Sequence, residues 1–315
     1  MLMRVNAHRT EAILSRRQLL LSPLLLAACK KEVLHQRVDP ALAPLIPGDT
    51  TTLIGVRVDN LRKSTAWEKL FPAQGPIALE TLKKQSGLDL RTGLYEAVFC
   101  MGGKHRVALI RGKFVDGGIT NAGLEPELKI EGAQKLPYKG FTLVGKEEEA
   151  VAFLNSSVAL VGRASALRSV IDARVLKNAI PEALLAMVET LPPESHLYAV
   201  STSPTLPEGG VGGLRSLPLS LKSAKAYLDL SQRVSLRAEA EGVSAGDAKK
   251  LIDGLRGMLG LLRITVKPEQ KEMLGMLDAM KFSQQGSTVT IQADLSLDAV
   301  LNTLKSLDLL GTSPV

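Results

Sequence analysis

The 315 residues carry 39 Lys and Arg against 32 Asp and Glu, a formal charge of +7, with 45% hydrophobic and 3% aromatic residues. That mild basicity is no nucleic-acid footprint, and a chain with one tryptophan, Trp67, is poor in the rings on which single strands and sugars stack. Its core has to be aliphatic, and there is material for one large core or two small ones.

The chain opens on a basic stretch holding Arg4, Arg9, Arg16 and Arg17, then an apolar run from Leu19 to Ala28 that Pro23 interrupts. A bilayer-spanning helix needs about 20 apolar residues, so this run is too short to cross. A basic start, a short apolar middle and small residues after it fit a secretory signal over residues 1–28. Leu26-Ala27-Ala28-Cys29 resembles the lipobox of bacterial lipoproteins. The resemblance implies cleavage before Cys29, a diacylglycerol thioether on its sulfur and acylation of its new N-terminus. Each buried CH2 of such chains adds about 0.8 kcal/mol, so several chains anchor stably where one binds marginally. The stretch SRRQLLL, residues 15–21, also resembles a twin-arginine export motif, with Leu19 where phenylalanine is common and Leu21 where lysine is common. Arg16 and Arg17 serve equally as the positive end of an ordinary signal, and neither route requires a cofactor. Lys30 and Lys31 follow the lipid site, where anionic headgroups favour each cation by about 1 kcal/mol. Lys30 is not the aspartate that retains some lipoproteins in the inner membrane, which favours the outer one.

Residues 29–48 hold the lipidation site and a proline-containing stretch without periodicity, read as a tether. Thr51–Asp59 sets Leu53, Gly55 and Arg57 against Ile54, Val56 and Val58, the alternation of a strand buried on one face. Helical spacing follows over Leu61–Leu70 and Ile77–Lys84. Tyr95–Met101 and His105–Phe114 read as a hairpin turning on Gly102-Gly103, a pair that tolerates φ > 0 at both centres. After an undetermined stretch to Leu136, strands are expected at Phe141–Val144, Ala150–Phe153 and Val158–Val161, and helices at Ser165–Asp172 and Pro181–Leu191. A boundary near residue 194 divides 49–194 from 195–315. In the second part Ala226–Leu230 and Val234–Glu241 form a hairpin, and Ser244 caps a helix with Asp247 three residues on. A second helix runs from Pro268 to Met280, a second hairpin turns near Gln285-Gly286, and Ser296 caps a last helix. Hairpin followed by helix thus occurs twice. The expected fold class is α+β, with antiparallel sheets of hairpins and amphipathic helices packed on one face.

Chemistry is harder to find. Gly140 to Lys146 matches the start of a P-loop, but strand formers fill its middle and Glu147 stands where Ser or Thr would hold magnesium. Metal-ligand spacings, a G-x-S-x-G elbow and an S-x-x-K motif are lacking. With Gly102-Gly103 as the turn, Cys100 would face His105, the one arrangement that could activate a thiol; Val98, Val107 and Leu109 on the same face favour simple burial. No metal or cofactor is implied. Thr202–Leu219, rich in proline and glycine, reads as a surface loop, with a lid or a partner-binding role as the alternative.

Pro47-Gly48-Asp49-Thr50 followed by TLIGVRV resembles the opening of the folded part in uncharacterised bacterial lipoproteins and secreted α+β proteins, a resemblance with no activity to transfer. The expectation is a lipid-anchored envelope protein facing the periplasm that binds a protein partner or serves as structure, without enzymatic activity. The alternative is a carrier for a lipid or other apolar ligand.

Overall fold

The computed structural model describes residues 37–70, 91–103, 105–114, 132–176, 181–204, 220–267 and 270–306. The chain divides into compact units at 1–34 and 35–315, and every described residue belongs to the second. Arg16, Arg17, Leu26, Ala27, Ala28 and Cys29, the helix expected at 77–84 and the loop beyond residue 204 lie outside the described residues.

Twelve antiparallel strands build one sheet: β1 (Thr52–Arg57), β2 (Leu94–Gly102), β3 (His105–Gly112), β4 (Gln134–Tyr138), β5 (Phe141–Gly145), β6 (Ala150–Asn155), β7 (Val158–Gly162), β8 (Leu197–Ser201), β9 (Leu221–Asp229), β10 (Val234–Gly242), β11 (Lys281–Gln285) and β12 (Thr288–Leu295). Their spatial order is β11-β12-β10-β9-β8-β1-β2-β3-β7-β6-β5-β4. The helices are α1 (Val58–Arg62), α2 (Thr65–Leu70), α3 (Ala164–Leu176), α4 (Glu182–Glu189), α5 (Ala245–Thr265), α6 (Lys271–Asp278) and α7 (Leu297–Ser306). The class is therefore α+β with an antiparallel sheet.

Three expectations need correction. The separate hairpin sheets are one continuous sheet, and helices cover both of its faces. Leu53, Val98, Leu109, Leu160 and Val200 pack with α3 and α4 on one side. Val56, Leu197 and Val234, which alternate to the other side, pack with α1, α2 and α7. The boundary near residue 194 falls inside this sheet, because β8 just after it hydrogen-bonds to β1 before it and to β9.

The third correction concerns the tether. Val38, Leu42, Leu45 and Ile46 are buried in the main core, with a 3-10 turn over Ala43–Leu45. Backbone N–H groups of Leu42 and Ala43 donate to the Asp39 carbonyl, so the turn satisfies itself. Prolines remove the helical period from this stretch, but they do not stop its aliphatic side chains from burying.

Local signals fared better. Ser244 caps α5, its Oγ accepting from Asp247 N–H at 3.1 Å and donating to Asp247 Oδ2 at 2.7 Å. The helix expected over 61–70 is instead two short ones, α1 and α2, broken where Ser64 Oγ donates to the Leu61 carbonyl.

Candidate functional site

The buried face of β1 is Leu53, Gly55 and Arg57. A guanidinium is thereby carried inward by strand alternation and needs partners. Gly55 lies between Val98 of β2 and Tyr198 of β8, and Arg57 is in register with Glu96 of β2. The Tyr198 ring lies across Gly55, where a Cβ would come 2.0 Å from Tyr198 Cζ. The same ring lies under the Arg57 guanidinium, 4.6 Å from its centroid, a cation–π contact.

Arg57 Nη1 donates to the carbonyls of Pro192 at 3.1 Å and Ser195 at 3.2 Å and to Ser195 Oγ. Its Nη2 donates to the Arg37 carbonyl at 3.0 Å. Glu96 Oε2 accepts from Asp39 N–H at 2.8 Å, and Tyr198 Oη donates to Glu96 Oε1 at 3.3 Å. Asp39 in turn faces Arg111 Nε at 3.4 Å, and Glu189 Oε1 accepts from Arg37 N–H at 3.2 Å. Arg57 and Glu96 thus clasp the connection between α4 and β8 and the incoming segment Arg37–Asp39 against the sheet. A cleft of about 320 Å³ opens onto the cluster, lined by Arg37, Asp39, Arg57, Asn60, Tyr95 and Glu96 among others.

Burial pushes the Glu96 carboxyl from its usual 4.5 up to about 7, against the Asp39 N–H and the Arg57 charge, which favour ionisation. Burial likewise lowers the Arg57 pKa and raises that of the Tyr198 phenol. Because folding raises the Glu96 pKa, the folded chain binds this proton more tightly than the unfolded one. The resulting stability is fully present below pH 4.5 and is lost as pH rises through 7. Glu96→Gln should remove that slope, because the amide does not titrate. Urea midpoints of both chains from pH 4.5 to 8 test this, and parallel curves would sink it.

Cys100 and His105 do not form the expected pair. Gly102 pairs with His105, and Cys100 pairs with Val107 on one side and Leu53 on the other. The turn sits one residue later than the sequence suggested, on Gly103 at φ 50°, because either glycine can take a positive φ. Cys100 is 1% exposed and burial pushes its thiol up to about 12, the reverse of activation. The His105 ring faces Asp49, with Nε2 3.8 Å from Oδ2. Thiol reagents should therefore modify Cys100 only as fast as the chain unfolds, and rapid labelling of the native protein would contradict this burial.

Gly140–Lys146 is a turn followed by β5, and Glu147 binds Arg168 at 3.0 Å. His196 is buried; its Nδ1 accepts from Leu230 N–H at 3.0 Å. Among the described residues no three His, Cys, Asp or Glu side chains stand where they could hold a metal. The cluster of Gly55, Arg57, Glu96 and Tyr198 was missed in the sequence, although Arg57 in the same alternating face as Leu53 was a legible signal.

No protein family profile matches the chain, and neither does any curated protein. Among solved structures it is similar to crystal form I of TP0453, with 11% identity and a TM-score of 0.45 over 84% of this chain and 96% of that one. For crystal form III of TP0453 the figures are 10%, 0.46, 84% and 97%.

Proposed function

We propose that this chain is an envelope lipoprotein, anchored through acylated Cys29, that faces the periplasm and acts by binding a protein partner or as envelope structure rather than by catalysis. The observation that carries the reading is the run SPLLLAAC ahead of a segment packed into the core from Val38 onward. Eight residue steps separate Cys29 from Arg37, a reach of at most roughly 27 Å at about 3.4 Å each. The clasp formed by Arg57, Glu96 and Glu189 fixes the far end of that short leash.

Partner binding is favoured over the carrier alternative by the character of the surface. The face of β9, β10 and β12 beside α4 is polar, with Lys225 bound to Glu239 at 3.0 Å and Arg237 to Asp294 at 3.0 Å. A cleft of about 320 Å³ runs there past Thr190, Tyr227, Thr290 and Gln292. Such a surface suits a hydrated protein interface better than an acyl chain.

Metabolic labelling with a radioactive fatty acid tests the anchor. Wild type should carry label, and Cys29→Ser should carry none. An unlabelled wild-type chain would refute the lipoprotein reading. Native mass spectrometry of the purified protein tests the alternative: a stoichiometric lipid beyond the Cys29 acyl groups would favour the carrier.

A further inference from the structure

The first three turns of α5 behave as a surface helix should: Ala248, Leu251 and Ile252 are buried against Val289, with Leu221, Ala240 and Phe282 beside them. Its last three turns do not. Leu261 is 65% exposed and Ile264 is 83% exposed. At 3.6 residues per turn, Gly257, Gly260, Leu261 and Ile264 fall within one stripe of about 100°, on the side opposite Ala248, Leu251 and Ile252. Nothing lies within 4 Å of where a Cβ would stand on Gly257 or Gly260. This end of the helix is apolar on its sheet side and on its outer side, a pattern that water does not favour. From Gly254 to Lys267 it carries Arg256, Arg263 and Lys267 and no acidic residue, Arg263 being bound to Asp278 of α6.

The position of this end follows from register. Val56 is level with Leu197, Leu228, Leu236 and Ala293 across the sheet, and Arg237 is level with Gln292 and Lys281. The strand ends near Arg57 are thus those at which β11 begins. Helix α5 starts at the opposite strand ends, where Gln284 Nε2 donates to the Ala245 carbonyl, and its far end is tied to α6, which leads into β11. Arg37, bonded to Arg57, enters at the same strand ends as this apolar tip.

We infer that the outer stripe of α5, with Leu261 and Ile264 at its centre, is a membrane-docking surface that lies in the headgroup region of an anionic bilayer. The inference rests on the lipid-anchor reading, which supplies the membrane within a short leash of these strand ends. An interfacial helix needs apolar side chains that reach below the headgroups and cations that stay at them; Leu261 and Ile264 serve as the first, Arg256 and Lys267 as the second. The two glycines let the helix backbone approach the lipid closely.

The test uses the full processed chain in vesicles of phosphatidylethanolamine and phosphatidylglycerol. Ile264→Cys carries an environment-sensitive dye, Cys100 being buried, and Lys249→Cys at the start of α5 carries it as control. Mass spectrometry of the Cys29 peptide reports the anchor separately. Docking predicts that dye at 264 shifts to the blue and is protected from an aqueous quencher while dye at 249 is not. A dye at 264 that stays in water on a verified lipidated chain overturns the inference, as does a shift that follows protein concentration rather than anionic lipid and so marks a second copy. If Cys29 carries no lipid, the same vesicles are added to the soluble chain labelled at 264 in a Cys29→Ser background: a shift supports the docking surface without the anchor, and no shift overturns it. In that format Leu261→Ser with Ile264→Ser should weaken partition roughly a hundredfold.

Discussion

Gly55→Ala is expected to destabilise the protein by about 3 kcal/mol, the upper end of what overpacking costs. The added methyl would stand 2.0 Å from Tyr198 Cζ, well inside contact distance. The ring cannot give way easily: it is 2% exposed, its hydroxyl is bonded to Glu96, and Arg57 lies against its face. For a unit of this size the loss corresponds to a fall of roughly 5 °C in melting temperature. Differential scanning calorimetry reads it directly. Tyr198→Ala in the same chain removes the clash, so the double variant should lose less than the two single losses added together. A Gly55→Ala chain that melts with wild type would mean the ring does not lie over this strand.

Arg57→Met should cost about 3–5 kcal/mol, although methionine replaces much of the apolar stem. The loss comes from what the guanidinium leaves behind: the Pro192, Ser195 and Arg37 carbonyls without their donor, and Glu96 without a nearby opposite charge. Arg57→Lys should recover only part, since one ammonium cannot span carbonyls that a planar fork reaches from two nitrogens. Urea unfolding gives the magnitude. Limited proteolysis adds a readout of mechanism, because a loosened clasp should expose the peptide bonds around Val38–Ile46 before the sheet opens. A variant within 1 kcal/mol of wild type would show that the clasp is not needed to hold the incoming segment.

These two residues mark where reading along the chain stops being enough. Strand alternation at Thr52–Arg57, the helix start at Ser244 and the hairpin turn at Gly286 are visible in sequence because each depends on neighbours a few residues away. The hairpin of β2 and β3 was legible for the same reason. Its register was not, since adjacent glycines allow the turn to slip by one residue, and that slip separates Cys100 from His105.

What the sequence by itself determined is therefore local: the strands and helices of the C-terminal half and the aliphatic nature of the core. The tertiary structure decided the rest. Only long-range pairing of β8 with β1 joins the expected two halves into one sheet, and only burial by that sheet turns Val38–Ile46 from an apparent tether into core. The cluster of Gly55, Arg57, Glu96 and Tyr198 exists because β2 and β8 flank β1. No periodicity within a strand records which distant strand will lie beside it, since that choice is made by packing the whole aliphatic core at once.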